Sequence, residues 1–159
     1  MNITVIAVGK MKEKSMVKVL EEYVKRLGRY CRLNIIEVPD KKAPENLSEL
    51  EMKQVTQAEG EGILRNIKDG SYVIALDIKG KMLSSEEFSE KIHSLGIQGI
   101  SKIAFIIGGS LGLSDEVKKR ADYLLSFSPM TFPHQLMRII LLEQIYRGFK
   151  IINNEPYHK

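Results

Sequence analysis

Five short apolar runs, each followed by a stretch with helical spacing, restrict this chain to a small set of architectures. The runs are Ile3 to Val8, Leu33 to Val38, Ser71 to Asp77, Lys102 to Ile107 and Tyr123 to Phe127. After the first, Met16, Val19, Leu20, Tyr23, Val24 and Leu27 recur at the period of an α-helix. Ser15 is placed to cap that helix and Gly28 to stop it. Ser48 with Glu51, and Ser84 with Glu87, spell capping boxes ahead of helices expected to end near Gly70 and at Gly96. Ser114 followed by Asp115 and Glu116 opens a short helix whose acids suit a helix N-terminus. A long apolar helix follows Pro133. Strands joined through helices run parallel and need cover on both faces. The expected fold is therefore one α/β domain over residues 1–159, a mainly parallel sheet between helical layers.

Composition narrows the function classes. The 24 Lys+Arg against 20 Asp+Glu give a net charge of +4, a mild basicity compatible with an anionic partner such as RNA. Cys31 is the only cysteine, which excludes an internal disulfide and a cysteine-held metal. Met1-Asn2 runs straight into a strand, where a signal peptide would show a basic segment and then an apolar run. Arg138, Glu143 and Arg147 charge the most apolar helix too heavily for a membrane span. A cytoplasmic protein is expected, without metal and without membrane attachment. Pro39 to Asn46, with two prolines and two lysines, is the one segment where an insertion or mobile loop is expected.

The last third carries the chemistry. The fourth strand runs into Gly108-Gly109-Ser110-Leu111-Gly112, and the fifth into Ser128-Pro129-Met130-Thr131-Phe132-Pro133-His134. Loops after strands of an α/β sheet are where ligands sit. The glycines allow close backbone approach and positive φ, and they fit an ordinary tight turn equally well. They match neither a dinucleotide fingerprint nor a phosphate-binding P-loop. His134 opens the last helix, where the helix dipole favours a neutral ring; taken alone it reads as a cap or packing residue ahead of a catalytic one. Leu136, Met137, Ile139, Ile140, Leu141, Leu142, Ile145, Tyr146 and Phe149 spread over more than one face of that helix, so a second subunit is expected to cover part of it. Arg138 is either a structural ion-pairing residue or an anion contact. Tyr157 and His158 read as a frayed tail, or as a phenol and imidazole suited to proton handling or base contact.

Taken together these motifs resemble the RlmH family. The resemblance rests on Phe105-Ile106-Ile107-Gly108-Gly109-Ser110, on Leu125 to His134, on Arg138 and Glu143 to Arg147, and on Pro156-Tyr157-His158. Ile6 to Lys10 and Tyr23, Lys25 and Arg26 extend it to the first helix. The family consists of small SPOUT-class methyltransferases acting on a pseudouridine of 23S ribosomal RNA. The resemblance implies a C-terminal trefoil knot, which general topological rules would discard. It implies S-adenosylmethionine as methyl donor, held by loops at Leu76, at Gly108, and at Phe127, Ser128, Pro129, Met130, Thr131 and Phe132. It further implies a homodimer through the C-terminal helix and methylation at pseudouridine N3, with the assembled ribosome as partner. The tail of one subunit would lie over the donor of the other. His158 with Tyr157 is then the candidate for base contact or proton acceptance. Arg138 is the candidate for anchoring the tail or a phosphate, or for stabilising the deprotonated base. Two rivals remain: a SPOUT enzyme with a transfer RNA or different ribosomal target, and a flavodoxin-like module binding a nucleotide or phosphate at Gly108 to Gly112.

Overall fold

The computed structural model describes residues 1–159. Its elements are β1 (Asn2–Val8), α1 (Lys14–Leu27), β2 (Arg32–Val38), α2 (Glu49–Arg65), β3 (Tyr72–Met82), α3 (Ser85–Ile97), β4 (Lys102–Ile107), α4 (Asp115–Arg120), β5 (Tyr123–Ser126) and α5 (His134–Ile152). The alternation expected from the apolar runs is present in full. The strands form one sheet in the order β2-β1-β4-β3-β5, and every pairing is parallel. Because all strands share one direction, the segments leaving β1, β2, β4 and β5 emerge at the same edge.

Alternate side chains of the strands feed two cores. Ile3, Val5 and Ala7 of β1 with Ile103, Phe105 and Ile107 of β4 pack under α1, α3 and α5. Ile6 and Val8 with Ala104 and Ile106 pack on the other face against Ile63 of α2 and Val117 of α4. Phe105, Ile3 and Ile106 are fully buried, and burying each such side chain contributes about 1.5–3 kcal/mol.

Four local details depart from the reading of the sequence. Helix α1 starts at Lys14 with Glu13 as an N-cap that makes no side-chain bond, so Ser15 lies inside the first turn. The apolar face that docks Leu20, Tyr23 and Leu27 on the core outweighs a cap worth about 1 kcal/mol. Helix α2 stops at Arg65, short of Gly70, where the Asn66 amide turns back to donate to the Gly62 carbonyl at 2.7 Å. Strand β3 does not end at Asp77. It bulges, so that Leu76 and Lys81 both pair with Leu125, and it continues to Met82. At Gly80 the bulge lies so close to β5 that a Cβ would stand 2.6 Å from the Leu124 carbonyl oxygen, which explains the glycine. The fourth departure concerns α5, which is flanked by its own chain: Tyr23 of α1 meets Tyr146 edge-on, and Ser89 of α3 donates to the Gly148 carbonyl at 3.0 Å. Part of the cover expected from a second subunit therefore comes from α1 and α3, while Leu136, Ile139 and Ile140 stay only half-buried.

Candidate functional site

A cleft of about 410 Å³ opens at the sheet edge where β3, β4 and β5 end. Three segments build it. The bulge after Leu76 supplies one wall, the loop Gly108–Leu113 a second, and Phe127–Phe132 a third. Leu76, Gly108, Phe127, Ser128, Met130, Thr131 and Phe132 all line it, and Pro129 does not. A Cβ on Gly108 would come within 2.9 Å of the Gly112 carbonyl oxygen, so the loop can fold back on itself only with glycine there. Positive φ is needed at Gly112 (+81°), not at Gly108. On the third wall, the Met130 N–H donates to Ser128 Oγ at 2.9 Å and Ser126 Oγ donates to the Ser128 carbonyl at 3.1 Å. These short-range bonds hold the turn open toward the cleft.

Several lining residues were not legible beforehand. Asp77, Ile78 and Lys79 enter because the strand bulges instead of ending. Lys118 reaches the rim from α4 and pairs with Asp77 at 3.2 Å. Met137 and His134 close the cleft from α5. Burial, and then the charge of Arg138, hold the His134 imidazole below its ordinary pKa, so the ring is neutral near pH 7. Sequence reasoning reached the neutral ring through the helix dipole; the larger cause is desolvation.

Arg138 is 1% exposed. Its Nη1 donates to Glu37 Oε2 at 2.8 Å, and Nη2 donates to the Val8 carbonyl at 3.0 Å and to the Gly9 carbonyl. Nε has no partner. The same Glu37 oxygen accepts the Met11 N–H at 2.7 Å. The guanidinium thus ties α5 to the ends of β1 and β2, and it makes no bond to the tail of its own chain.

That tail is folded back rather than frayed. Tyr157 Oη donates to Glu143 Oε1 at 3.1 Å, its ring meets Tyr146 edge-on at 5.0 Å, and the Arg147 guanidinium lies over it at 4.8 Å. His158 places Nδ1 3.2 Å from Arg147 Nη1 and Nε2 2.7 Å from Glu86 Oε1. Burial and the neighbouring Glu143 push the Tyr157 phenol up to about 12, so it is a donor and not a base at neutral pH. Tyr157 reaches back to Glu143, six residues beyond the cleft-lining Met137 on α5, or about 9 Å along the helix at 1.5 Å per residue, and no tail residue lines the cleft of its own chain. No group of three or more His, Cys, Asp or Glu is placed to hold a metal ion, and no helix is long and apolar enough to cross a membrane.

A parallel α/β sheet with a glycine-walled cleft at its C-terminal edge defines a class of small-ligand binders, and comparison with known proteins narrows it. The chain belongs to the SPOUT methyltransferase family: the family's model, described as predicted SPOUT methyltransferase, matches residues 1–158. It is 70% identical over 159 residues to ribosomal RNA large subunit methyltransferase H of Alkaliphilus oremlandii, covering all of both chains. It is 64% identical, again end to end, to the protein of the same name from Clostridium kluyveri. Among solved structures, a probable methylase family protein from Haemophilus influenzae shares the fold with a TM-score of 0.55 at 17% identity, over 96% of this chain and 66% of that one.

Proposed function

We propose that this protein is an S-adenosylmethionine-dependent methyltransferase that methylates N3 of a pseudouridine in large-subunit 23S ribosomal RNA, in the cytoplasm and on assembled ribosomes. The observation that carries the reading is 70% identity, without a gap in coverage, to a ribosomal RNA large subunit methyltransferase H. The trefoil knot of SPOUT enzymes and a homodimer through α5 belong to the same reading. Half-buried Leu136, Ile139 and Ile140 on α5 support the dimer, since they are the apolar side chains that α1 and α3 leave incompletely covered.

The cleft fits the donor. Its volume is within the range of small-molecule sites, and Gly108 and Gly109 leave backbone polar groups without Cβ atoms before them. Leu76, Phe127, Met130 and Phe132 offer apolar walls to a purine and a thioether, while Ser128, Thr131, Asp77 and Lys118 offer hydrogen bonds and charge for the polar ends. When bound, the donor supplies an electrophilic sulfonium methyl, and no metal is required.

What the chain must add is placement and a route for one proton. N3 carries a hydrogen that has to leave before its lone pair can form the new bond, and alignment of nitrogen with methyl supplies much of the acceleration. We assign proton acceptance or base contact to His158 with Tyr157 beside it. No tail residue lines the cleft of its own chain, and both side chains are already engaged there by Glu143, Arg147 and Glu86, so these residues would serve the cleft of a second copy. Arg138 would act by holding the ends of β1 and β2 against α5 at the cleft, its charge being satisfied by Glu37 and two carbonyls.

The test is methyl transfer from labelled donor to ribosomes, isolated subunits and stripped rRNA in parallel, with the modified nucleotide mapped. Label at a pseudouridine N3 of 23S rRNA, strongest on ribosomes, is expected. Label confined to transfer RNA would replace the target, and a protein that binds nucleotides but not S-adenosylmethionine would replace the activity.

A further inference from the structure

Two carboxylates outside the cleft each hold a lysine-bearing loop by its main chain. Glu37, already paired with Arg138, takes the Met11 N–H at 2.7 Å, and the Lys12 N–H is held by Gln135 Oε1 at 3.3 Å. Glu59, only 4% exposed on α2, takes the Lys41 N–H at 3.0 Å. All these bonds go to backbone. The side chains of Lys10, Lys12, Lys41 and Lys42 remain exposed, and none of them enters any ion pair of the chain. The two anchoring carboxylates cannot neutralise them freely, because one is paired with a guanidinium and the other is buried. Glu13, Asp40 and Glu45 are the exposed acids of the two loops and leave the lysines in excess.

Both loops border the cleft. They leave from the ends of β1 and β2, beside the glycine loop that leaves β4. A Cβ on Gly9 would stand 3.6 Å from His134 Nε2 and 3.9 Å from Asp40 Cβ, and one on Gly109 would stand 3.2 Å from Glu59 Oε1. His134 and Gly109 line the cleft, whereas the four lysines do not; its lining cations are Lys79 and Lys118. The excess charge therefore lies beside the donor site and outside it, where the macromolecule presenting the acceptor base must pass.

We propose that Lys10 and Lys12 with Lys41 and Lys42 form a cationic track that takes backbone phosphates of the RNA strand carrying the target base, an inference that rests on the ribosomal RNA reading above. Ammonium groups are suited to this because binding a phosphate needs charge and reach but no base-specific geometry. The bonds at Met11, Lys12 and Lys41 hold the main chain beside these lysines, which lowers the loop ordering that binding has to supply.

The test is the fourfold variant Lys10→Gln, Lys12→Gln, Lys41→Gln, Lys42→Gln, with Lys68→Gln, Lys102→Gln as the control beside the N-terminal ends of the strands. Affinity for ribosomes is measured across a salt series, donor affinity by calorimetry, and methyl transfer on the same preparations. The fourfold variant should bind S-adenosylmethionine as wild type does. Its affinity for ribosomes should fall at least about tenfold at low salt. Its salt dependence should flatten by roughly 0.7 in log–log slope for each phosphate that the variant no longer neutralises. The control should keep the wild-type slope. A wild-type slope in the fourfold variant, or an equal drop in the control, overturns the track. A wild-type protein that transfers no methyl group to any ribosomal RNA form overturns the underlying reading instead, and that outcome is read separately.

Discussion

At the start of α5 the chain shapes a ligand site by leaving side chains out, and beyond its end it holds the tail in place with charge. The cleft depends on Gly108, where a Cβ would meet the Gly112 carbonyl, and on turns closed by backbone N–H groups. The tail depends on Tyr30 and Lys150 bonding Glu155, on Glu143 bonding Arg147 and Tyr157, and on Glu86 facing His158. Steric fit is indifferent to salt and pH. Partly exposed ion pairs are worth about 0–1 kcal/mol each and are screened. One end of α5 is therefore fixed by steric fit and the other by ion pairs that salt can weaken. The proposed service of the tail to a second copy would need that difference.

The largest effect is expected at Gly108. Gly108→Val should abolish S-adenosylmethionine binding by calorimetry, because the branched side chain forces the Gly112 carbonyl out of the loop, while circular dichroism stays native; wild-type affinity would remove the loop from the site. Deleting Tyr157 to Lys159 attacks the other end. It should cut methyl transfer on ribosomes about a hundredfold or more, the scale of a positioned proton-handling group, and leave donor affinity within about threefold. Wild-type turnover after that deletion would make the folded-back tail a packing feature only.

Ile139→Asp tests the proposed second copy. Ile139 is half-buried in the isolated chain and Leu142 fully buried. The first should therefore give soluble monomers by light scattering, and Leu142→Asp insoluble protein through an unpaired charge in the core. A wild-type monomer at micromolar concentration would end the composite-site reading. The smallest effect concerns pH. The folded-state pKa of His134 is depressed, so the unfolded chain binds more protons as pH falls through about 6.5. Its contribution to stability is complete above that value and is lost below it. The His134 ring resonance should titrate below the ordinary imidazole range by NMR, and a normal midpoint would mean the ring is solvated.

The order of elements was legible because apolar spacing and capping pairs are local signals, and the Ser48–Glu51 and Ser84–Glu87 boxes formed as expected. The β3 bulge was not. Asp77-Ile78-Lys79-Gly80 reads as a turn, and only the pairing of Lys81 and Met82 with β5 makes it part of a strand. That one nonlocal fact explains why the bulge residues were missed in the cleft. Seven of the eight expected donor residues line it, since each belongs to a loop that a preceding strand aims. Arg138 and His134 were ambiguous for another reason. Their partners, Glu37, Gly9 and Asp40, are about a hundred residues away in sequence, and spacing within a helix carries no information about them.

The sheet's central pair sets a timetable for making the protein. Asn2 lies opposite Lys102 and Ala7 opposite Ile107, so β1 waits for its inner neighbour until about two-thirds of the chain exists. Loop closure over such a span is slow, and until β4 arrives β1 has only β2 for company. During synthesis the first hundred residues hold an apolar strand with one side unpaired, so the step that completes the hydrophobic core comes late and nearly coincides with the one that builds the cleft.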